Sequence, residues 1–496
     1  MSDESAKLGR RESLGLLAGG ATALLVPTAF AGLSSAAPNR RLAGLQGSLG
    51  GKLIAKGSAD YASVRETLIW NRRLSDARAP DAIVRATSVG DVQTAVAFAG
   101  ANRLRVTLRG SGHSFHAAAL RDSGLLIDVS QLKSIDIDAA TRRASVQPGA
   151  TGGALAAALQ QHDLAFPMGH CSGVALSGFL LSGGIGWNAP EWGPSCMSVR
   201  GIEMISAAGE RLYADKDHHA DLFWAARGAG CGFFAAVTRY DLELFPKPQS
   251  IRTGSITFDY ASYDEVATWL NGAMRGVDQR VEVICTLGQA EGSSAADPKF
   301  SVNVTAVAFA SSQDDARKRY AALLQPPAPL RPIGDVVDAP STMTELFQAI
   351  DADLPDNKRM SGDSCWTNAR LGDLMMTMKP LVPKAPATPS GIFFMALGDA
   401  VVPKSDAAAY SVGGRTYVSA YAVSENPKED QMNREWVHAA VHAANPYKTG
   451  HYVGEADLSV APERVEQCFS QTAWKRLRSL KRKYDPANVF FSYLTT

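Results

Sequence analysis

The sequence predicts an α+β protein whose chain follows one pattern before about residue 247 and another after it. Between residues 79 and 245, short apolar strands alternate with helices and glycine-rich turns. From 250 to 460, longer strand candidates alternate with amphipathic helices, which is typical of one sheet with helices on one face. The strand candidates of this second part are Ser255–Tyr260, Val281–Leu287, Phe300–Ala308, Ile392–Leu397 and Arg415–Ala422. A helix over Trp474–Lys483 is predicted to end before Asp485-Pro486.

The composition is that of an ordinary globular protein, with 46% apolar and 20% charged residues among 496. A chain of this length is expected to form two or three domains. The net charge of +1 gives no indication of nucleic-acid binding, and we interpret the basic stretch Lys475–Lys483 as a solvated helix face. The six cysteines include no pair with CxxC spacing, so the sequence predicts no metal site and no redox motif of that kind.

The first forty residues are predicted to be an export signal and linker rather than part of the fold. Arg10-Arg11 precede a Gly/Ala-rich apolar stretch, and Ala29-Phe30-Ala31 has the small-x-small pattern of a cleavage site. Paired arginines are typical of the bacterial twin-arginine signal, so we expect a periplasmic or extracellular protein. The alternative is an N-terminal tail with two chance arginines. No later segment reaches the roughly 18 apolar residues of a membrane helix, so we expect a soluble mature protein without a membrane partner.

Three glycine-rich segments carry the chemistry that the sequence suggests. Arg109–Ser114, Arg-Gly-Ser-Gly-His-Ser, follows a predicted strand, and its small residues let backbone N–H groups converge on an anion such as a pyrophosphate. Glycines are dense from Gly169 to Gly186, around Cys171, which lets the chain wrap a flat ligand. Asp221–Gly232 places further glycines at a helix end. Taken singly, the three have ordinary alternatives: a loop histidine, an inert buried cysteine and a glycine-capped helix.

In this order, the three segments resemble the vanillyl-alcohol oxidase / p-cresol methylhydroxylase superfamily of FAD-binding enzymes, and within it the berberine bridge enzyme-like branch. The resemblance extends from about Asp81 to the C-terminus, where Lys483–Phe490 is similar to the ending of that branch. It implies an FAD-binding domain in two parts, with an inserted substrate domain built as an antiparallel sheet covered by helices. The division that it implies is 1–40 for the signal and linker, 41–247 for the first FAD-binding part, 248–455 for the substrate domain and 456–496 for the segment returning to the FAD-binding domain.

The resemblance also implies that FAD is bound covalently. The position of His113 is the one bonded to the 8α-carbon of FAD, and the position of Cys171 supplies a thioether to C6. Val174 aligns with the position that gates oxygen, which favours O2 as electron acceptor. The complete set of predicted cofactor-binding residues is His113, Cys171, Arg109, Gly110, Ser111, Gly112, Ser114, Gly149, Val174, Gly178, Gly183, Gly184 and Gly186.

The predicted catalytic base lies shortly before the C-terminal helix. The Tyr-x-Asn-Tyr segment of the branch resembles Tyr452–Glu455 here, which places Glu455 where the second tyrosine, often the base, stands. A carboxylate desolvated against a flavin is suited to remove a proton. The alternatives are a surface carboxylate at Glu455 and core packing for Tyr452, the second predicted catalytic residue. Met395 occupies a position where relatives have a carboxylate, and the weaker candidates are Asp457, Glu282 and Tyr421.

The resemblance therefore predicts an oxidase that takes a hydride from an alcohol carbon of a small organic substrate to FAD, with O2 reduced to H2O2. Phe393, Phe394, Tyr417 and Tyr421 in the candidate strands favour an aromatic or amphipathic substrate. Three alternatives remain open: a C–N oxidase or oxidative cyclase acting on an alkaloid-like molecule, a sugar oxidase, and a flavin-loaded carrier without turnover. Only Met395 at the carboxylate position supports the carrier.

Overall fold

The computed structural model describes residues 42, 44–73, 78–290, 292–294, 296–354, 356–459 and 461–495. The predicted export signal therefore lies outside the described residues. The described chain has the predicted α+β character, with three larger sheets and one short two-stranded pair. Within these ranges, no helix has both the length and the apolar composition needed to cross a membrane. The four-part domain division stays a prediction.

The first sheet contains four strands in the order β1-β2-β4-β3, of which β2, β4 and β3 are parallel to one another. Its strands are β1 (Lys52–Ala55), β2 (Ala82–Arg85), β3 (Val106–Arg109) and β4 (Leu125–Asp128), and its helices are α1 (Tyr61–Thr67) and α2 (Val89–Ala101). Helix α2 begins where Ser88 accepts a hydrogen bond from the Asp91 N–H while the Asp91 carboxylate accepts from the Ser88 N–H, a capping box. The glycine-rich loop follows β3 directly.

The second sheet is antiparallel, in the order β5-β6-β10-β8-β9, and a short pair of β7 and β11 lies beside it. The strands are β5 (Ile135–Asp138), β6 (Arg143–Val146), β7 (Leu164–Ala165), β8 (Val199–Ile205), β9 (Arg211–Asp215), β10 (Ala236–Glu243) and β11 (Phe245–Pro246). The helices of this region are α3 (Gly152–Gln160), α4 (Leu176–Leu181), α5 (Ala189–Trp192) and α6 (Ala220–Ala226).

The second half forms one antiparallel sheet of eight strands in the order β15-β12-β14-β13-β17-β18-β16-β19. The strands are β12 (Ser250–Asp259), β13 (Glu282–Gln289), β14 (Phe300–Ala310), β15 (Val337–Ser341), β16 (Arg359–Thr367), β17 (Gly391–Ala396), β18 (Thr416–Ser424) and β19 (Lys448–Gly450). The helices are α7 (Tyr263–Ala273), α8 (Gln313–Tyr320), α9 (Met343–Asp353), α10 (Leu371–Met378) and α11 (Asp430–Ala443). All five predicted strands are present, each within five residues of its predicted bounds, whereas β15, β16 and β19 are not predicted.

The two faces of the eight-stranded sheet have different tasks. Successive side chains of a strand point to opposite faces. On β13, β17 and β18, one set of positions packs into the apolar core under the helices, as Cys285 and Phe394 do. The alternate set, including Ile284, Met395 and Tyr421, faces a cavity. The pairing of Ile284 with Met395 aligns two of these cavity-facing positions on neighbouring strands.

The C-terminal segment returns to the first sheet. Helix α12 (Gln471–Tyr484) begins at Ser470, whose hydroxyl accepts a hydrogen bond from the Ala473 N–H. Beyond the helix, Val106 of β3 donates its N–H to the Val489 carbonyl, and Phe490 forms a parallel bridge with Val106. The last residues of the chain therefore lie beside the strand that leads into the glycine-rich loop.

Candidate active site

A cavity of about 750 Å³ lies between the first half of the chain and the cavity-facing side of the eight-stranded sheet. The loop after β3, the Cys171 loop, strands β13, β17 and β18, and the C-terminal segment all contribute to its wall. A concave, mostly apolar space of this size with a few converging polar groups is the usual form of a cofactor or ligand site.

The loop after β3 requires glycine at two positions. A Cβ at Gly110 would stand 2.4 Å from the Ser177 hydroxyl, and Gly112 has φ +73° with the Leu68 carbonyl 1.9 Å from a built Cβ. The Arg109 guanidinium is used within the protein, because its Nε donates to the Leu68 carbonyl at 2.9 Å and its Nη1 lies 3.2 Å from Asp128. Arg109 therefore holds the loop in place through its side chain, and the backbone of the loop lines the cavity.

His113 presents an unpaired nitrogen in this wall. Its ring stacks on Trp70 with centroids 4.2 Å apart, and its Nε2 atom is buried without a hydrogen-bond partner among the described residues. Burial lowers the pKa of His113 to about 4. The ring is therefore neutral at neutral pH and keeps a lone pair, which is the form of imidazole that bonds to carbon.

Cys171 lies in the same cavity wall as a buried free thiol, and burial raises the pKa of that thiol. Its neighbours tie this loop to the second half of the chain. Ser172 donates its hydroxyl to Asp351 of α9 at 2.5 Å, and the His170 Nε2 lies 2.6 Å from Glu282 of β13. Glu282 is fully buried and stands behind His170, so His170, and not Glu282, reaches the cavity.

Glu455 reaches the cavity from the segment before α12 and is held there by two tyrosines. The hydroxyls of Tyr417 and Tyr421, both on β18, each donate to the Glu455 Oε2 atom at 2.7 Å. Burial raises the pKa values of Tyr417 and Tyr421 well above that of an ordinary tyrosine, so both hydroxyls remain neutral donors. Within the described residues Oε1 makes no hydrogen bond, which leaves this oxygen available to a ligand.

Tyr452, the second predicted catalytic residue, also lines the cavity but its hydroxyl is engaged. Its oxygen accepts a hydrogen bond from the Gly184 N–H at 3.2 Å, and its ring packs edge-on against Tyr417 and Trp366. Burial raises the pKa of Tyr452, which disfavours the phenolate that a base needs. Glu455 is therefore the better placed proton acceptor of the two.

Most of the residues predicted from sequence meet in this cavity. Those in its wall are Arg109, Gly110, Ser111, Gly112, His113, Ser114, Cys171, Val174, Gly178, Tyr452 and Glu455. The weaker candidate Tyr421 is there as well, whereas Asp457 lies beneath the wall and is buried.

Four predicted cofactor-binding glycines do not line the cavity, and backbone packing accounts for their small size. A Cβ at Gly149 would meet three carbonyl groups within 2.8 Å, and one at Gly186 would stand 1.9 Å from the Met168 carbonyl. Gly183 packs against the ring of Tyr410, and Gly184 packs against Phe179 and Ser195. A glycine-rich sequence does not distinguish close approach to a ligand from close approach to another part of the chain.

Sequence reasoning missed three residues of the site. Tyr417, whose hydroxyl donates to Glu455, is predicted from sequence only as a sign of an aromatic substrate. His170 and His116 line the cavity and are not among the predicted site residues. A signal was available for both histidines, because each lies within three residues of a predicted attachment residue, His113 or Cys171.

The residues present fit FAD. The unpaired Nε2 of His113 and the buried Cys171 thiol give two attachment positions in one wall, which the small residues of the loop after β3 also line. The comparisons with known proteins agree. A family model described as "FAD binding domain" matches residues 80–214, and one described as "Berberine and berberine like" matches residues 451–492. Fold and site together define an FAD-linked oxidoreductase.

Relatives extend this result over most of the chain. An FAD-linked oxidoreductase of Penicillium ochrochloron is 26% identical over 434 residues, covering 87% of this chain and 93% of the relative. The structure of 6-hydroxy-D-nicotine oxidase from Arthrobacter nicotinovorans is similar, with a TM-score of 0.74 and 24% identity, covering 89% of this chain and 97% of that one. The structure of xylooligosaccharide oxidase from Myceliophthora thermophila is also similar, with a TM-score of 0.76 and 22% identity. The match covers 92% of this chain and 98% of that one. The two family-model matches and the similar fold confirm the resemblance to the berberine bridge enzyme-like branch of the vanillyl-alcohol oxidase / p-cresol methylhydroxylase superfamily.

The buried neutral state of His113 makes the stability of the apoprotein sensitive to acid. Between pH 6.5 and about 4 the unfolded chain binds a proton at this histidine while the folded chain does not, so stability falls as the pH decreases through this window. We expect a loss of about 3 kcal/mol by pH 4 that His113→Leu abolishes. Urea unfolding of the two apoproteins at pH 7 and pH 4 measures the difference, and equal pH dependence in both would contradict it.

Proposed function

We propose that this protein is an oxidase that holds FAD covalently through His113 and Cys171 and oxidises an alcohol carbon of a small aromatic substrate. The observation that carries the proposal is the presence of the tyrosine-held Glu455 in the same cavity wall as His113 and Cys171. FAD, when bound, accepts the hydride from the substrate carbon and passes two electrons to O2, giving H2O2. Val174, in the cavity wall at the position that gates oxygen in the branch, supports O2 as acceptor.

The protein's part in this reaction is to bind, orient and move a proton. Glu455 Oε1 takes the proton of the substrate hydroxyl, because Oε2 is already occupied by Tyr417 and Tyr421. The ring of Tyr421 stacks on Phe115 with centroids 4.9 Å apart and lies 5.5 Å from Phe393. These rings form an aromatic wall against which a flat substrate can pack.

The remaining wall disfavours a sugar. The eight-stranded sheet, α9 and its C-cap contribute Ile284, Ile350, Leu354, Phe393 and Met395, which offer no side-chain hydrogen bonds, against three polar residues, Asp353, Ser419 and Tyr421. A sugar oxidase needs many polar partners for hydroxyl groups, since unpaired buried polar groups are costly.

A second candidate, oxidation of a C–N bond in an amine, is favoured by the charge of the same wall. Of the described lining residues between 248 and 455, Asp353 and Glu455 carry charge, and both are acidic. An ammonium group is therefore favoured over an anionic group in this part of the cavity.

We also propose that the protein is exported by the twin-arginine route, on the pattern of residues 10–31. We further propose the division of the chain into a first FAD-binding part (41–247), a substrate domain (248–455) and a segment returning to the FAD-binding domain (456–496).

The experiment that tests the proposal is acid denaturation of the purified protein, with flavin absorbance followed through precipitation and in-gel fluorescence. We expect the flavin to stay with the wild type and with either His113→Ala or Cys171→Ala, and to be lost from the double variant. His162→Ala and Cys196→Ala are matched controls, because one residue is exposed and the other is buried outside the cavity wall. Flavin released from the wild type would overturn the covalent assignment.

Turnover is tested with 4-hydroxybenzyl alcohol and benzylamine as probes. Anaerobic bleaching of the flavin by either compound, followed by recovery of the absorbance and formation of H2O2 on admission of air, is the expected result. Bleaching by the amine alone selects the second candidate. A flavin that neither compound bleaches overturns the proposed aromatic substrate class.

A further inference from the structure

His116 links the two parts of the site on which the proposed reaction depends. It lies three residues after His113 on the same loop, and its ring lines the cavity. The His116 Nε2 lies 3.0 Å from the carbonyl oxygen of Glu455, and the Nδ1 lies 3.2 Å from Asp457 Oδ1. One imidazole ring therefore contacts both the residue proposed as the base and the residue two positions beyond it.

The chemistry of these two partners determines the role of the ring. The Glu455 carbonyl oxygen only accepts hydrogen bonds, so the ring donates its Nε2–H to it. The Nδ1 atom lies within ion-pair distance of Asp457 but makes no hydrogen bond with the described residues. Burial by itself raises the pKa of Asp457, but hydrogen bonding from His438 and the positive charge of His116 outweigh it, and the pKa lies well below its ordinary value. Asp457 is therefore an ionised carboxylate, and its Oδ1 lies 3.2 Å from the His116 ring.

Asp457 is itself held from two other elements. The His438 Nε2 on α11 lies 3.3 Å from Asp457 Oδ2, and the Asp457 N–H donates to Asp363 Oδ1 on β16 at 3.0 Å. The other oxygen of Asp363 accepts from Arg464 at 2.6 Å. Asp457 and Asp363 are buried, and the side chains of His438 and Arg464 are about one-fifth exposed. The segment 455–457 is therefore fixed to the second half of the chain independently of His116.

The loop that carries His116 is likewise fixed independently of the ring. Arg78 donates to the backbone carbonyl of His116, and Asn71 donates to the Phe115 carbonyl at 2.7 Å. The imidazole is therefore a separate link between two supported segments, and its removal leaves the backbone contacts of both segments in place.

We propose that His116 is a positioning residue that fixes the distance between the loop carrying His113 and the segment carrying Glu455. This inference rests on the proposed function, because it assigns His116 the task of holding the base over a cofactor attached at His113. A displacement of a reacting group by about 1 Å costs on the order of 100-fold in rate. Loss of the ring is therefore expected to slow the chemical step without preventing cofactor attachment or substrate binding.

The test compares His116→Leu, which removes the hydrogen bond to the Glu455 carbonyl and the contact with Asp457, with His116→Gln, whose amide retains a donor for the Glu455 carbonyl. In the holoenzyme with the faster of the two probes, we expect His116→Leu to lower the limiting rate constant of flavin reduction about 100-fold, and His116→Gln to recover about 10-fold of it. The covalent flavin content and the dissociation constant of the probe are expected to stay within about 2-fold of the wild type. His162→Leu is the matched control on an exposed histidine.

Hydrogen exchange of the backbone amides of 452–459 gives a readout that needs no substrate. We expect faster exchange in His116→Leu than in the wild type, with unchanged exchange in β4 as the internal reference. A reduction rate in His116→Leu within about 3-fold of the wild type would overturn the inference, as would a loss shared equally by His116→Gln and His116→Leu. If neither probe reduces the flavin of the wild type, the result counts against the proposed function. In that case the amide exchange alone tests the inference, and unchanged exchange in His116→Leu would overturn it.

Discussion

Replacing Glu455 by glutamine is expected to lower the limiting rate constant of flavin reduction about 1000-fold, with little change in the dissociation constant of the substrate. Glutamine keeps the size of the side chain and retains one oxygen that accepts hydrogen bonds from Tyr417 and Tyr421. It does not accept a proton. The loss therefore reports proton removal rather than the shape of the cavity.

Anaerobic stopped-flow reduction of the flavin measures this rate constant. Two tyrosine variants are expected to lower it by smaller factors than Glu455→Gln does. Tyr421→Phe removes one of the two donors to Glu455 and is expected to cost about 10-fold, since the other donor remains. Tyr452→Phe is expected to cost less than Glu455→Gln, because the Tyr452 oxygen is engaged with the Gly184 N–H. If flavin reduction were slower in Tyr452→Phe than in Glu455→Gln, Tyr452 rather than Glu455 would be the base.

Replacing Asp485 by alanine is expected to lower the free energy of unfolding by about 4 kcal/mol. Asp485 is 1% exposed and accepts hydrogen bonds from the Val489 N–H at 2.7 Å and from the Phe490 N–H at 2.9 Å. Its Oδ2 also lies 3.0 Å from the ammonium group of Lys481, which is itself 2% exposed. The variant leaves a buried cation without its counter-charge and two backbone donors without acceptors.

Urea unfolding of the holoenzyme measures this loss, and a second variant tests its cause. Asp485→Ala combined with Lys481→Met is expected to recover part of the stability, because no buried charge is then left unpaired. Asp297→Ala is the matched control on an exposed carboxylate and is expected to change stability by less than about 0.5 kcal/mol. A loss of less than about 1 kcal/mol in Asp485→Ala would contradict the assigned role.

The sequence predicts the parts of the site that are contiguous in the chain. The loop around His113 and the segment around Cys171 are predictable because small residues stand next to a histidine or a cysteine within one short stretch of sequence. The hydrogen bonds that complete the site join distant positions, as between Tyr417 and Glu455 or between His116 and Asp457. Spacing along the chain carries no information on such pairs, because tertiary packing brings them together.

The unpredicted strand β16 illustrates the same limit in the fold. Its sequence, Arg-Met-Ser-Gly-Asp-Ser-Cys-Trp-Thr, lacks the alternation of apolar and polar residues from which strands are predicted. It is nevertheless buried, and its one carboxylate, Asp363, accepts hydrogen bonds from Arg464 and from the Asp457 N–H. A buried polar strand is recognised from sequence only when the residues that satisfy it are already known.

The alternation of faces along β13, β17 and β18 separates two kinds of inherited change. Successive positions of the same strand belong to different surfaces, so a substitution at Ile284, Phe393, Met395 or Tyr421 changes the lining of the cavity, whereas one at Cys285 or Phe394 changes the core. A lineage of such proteins can therefore diversify in what it oxidises without rebuilding the scaffold, and a library restricted to the cavity-facing positions samples that diversity at small cost in folding.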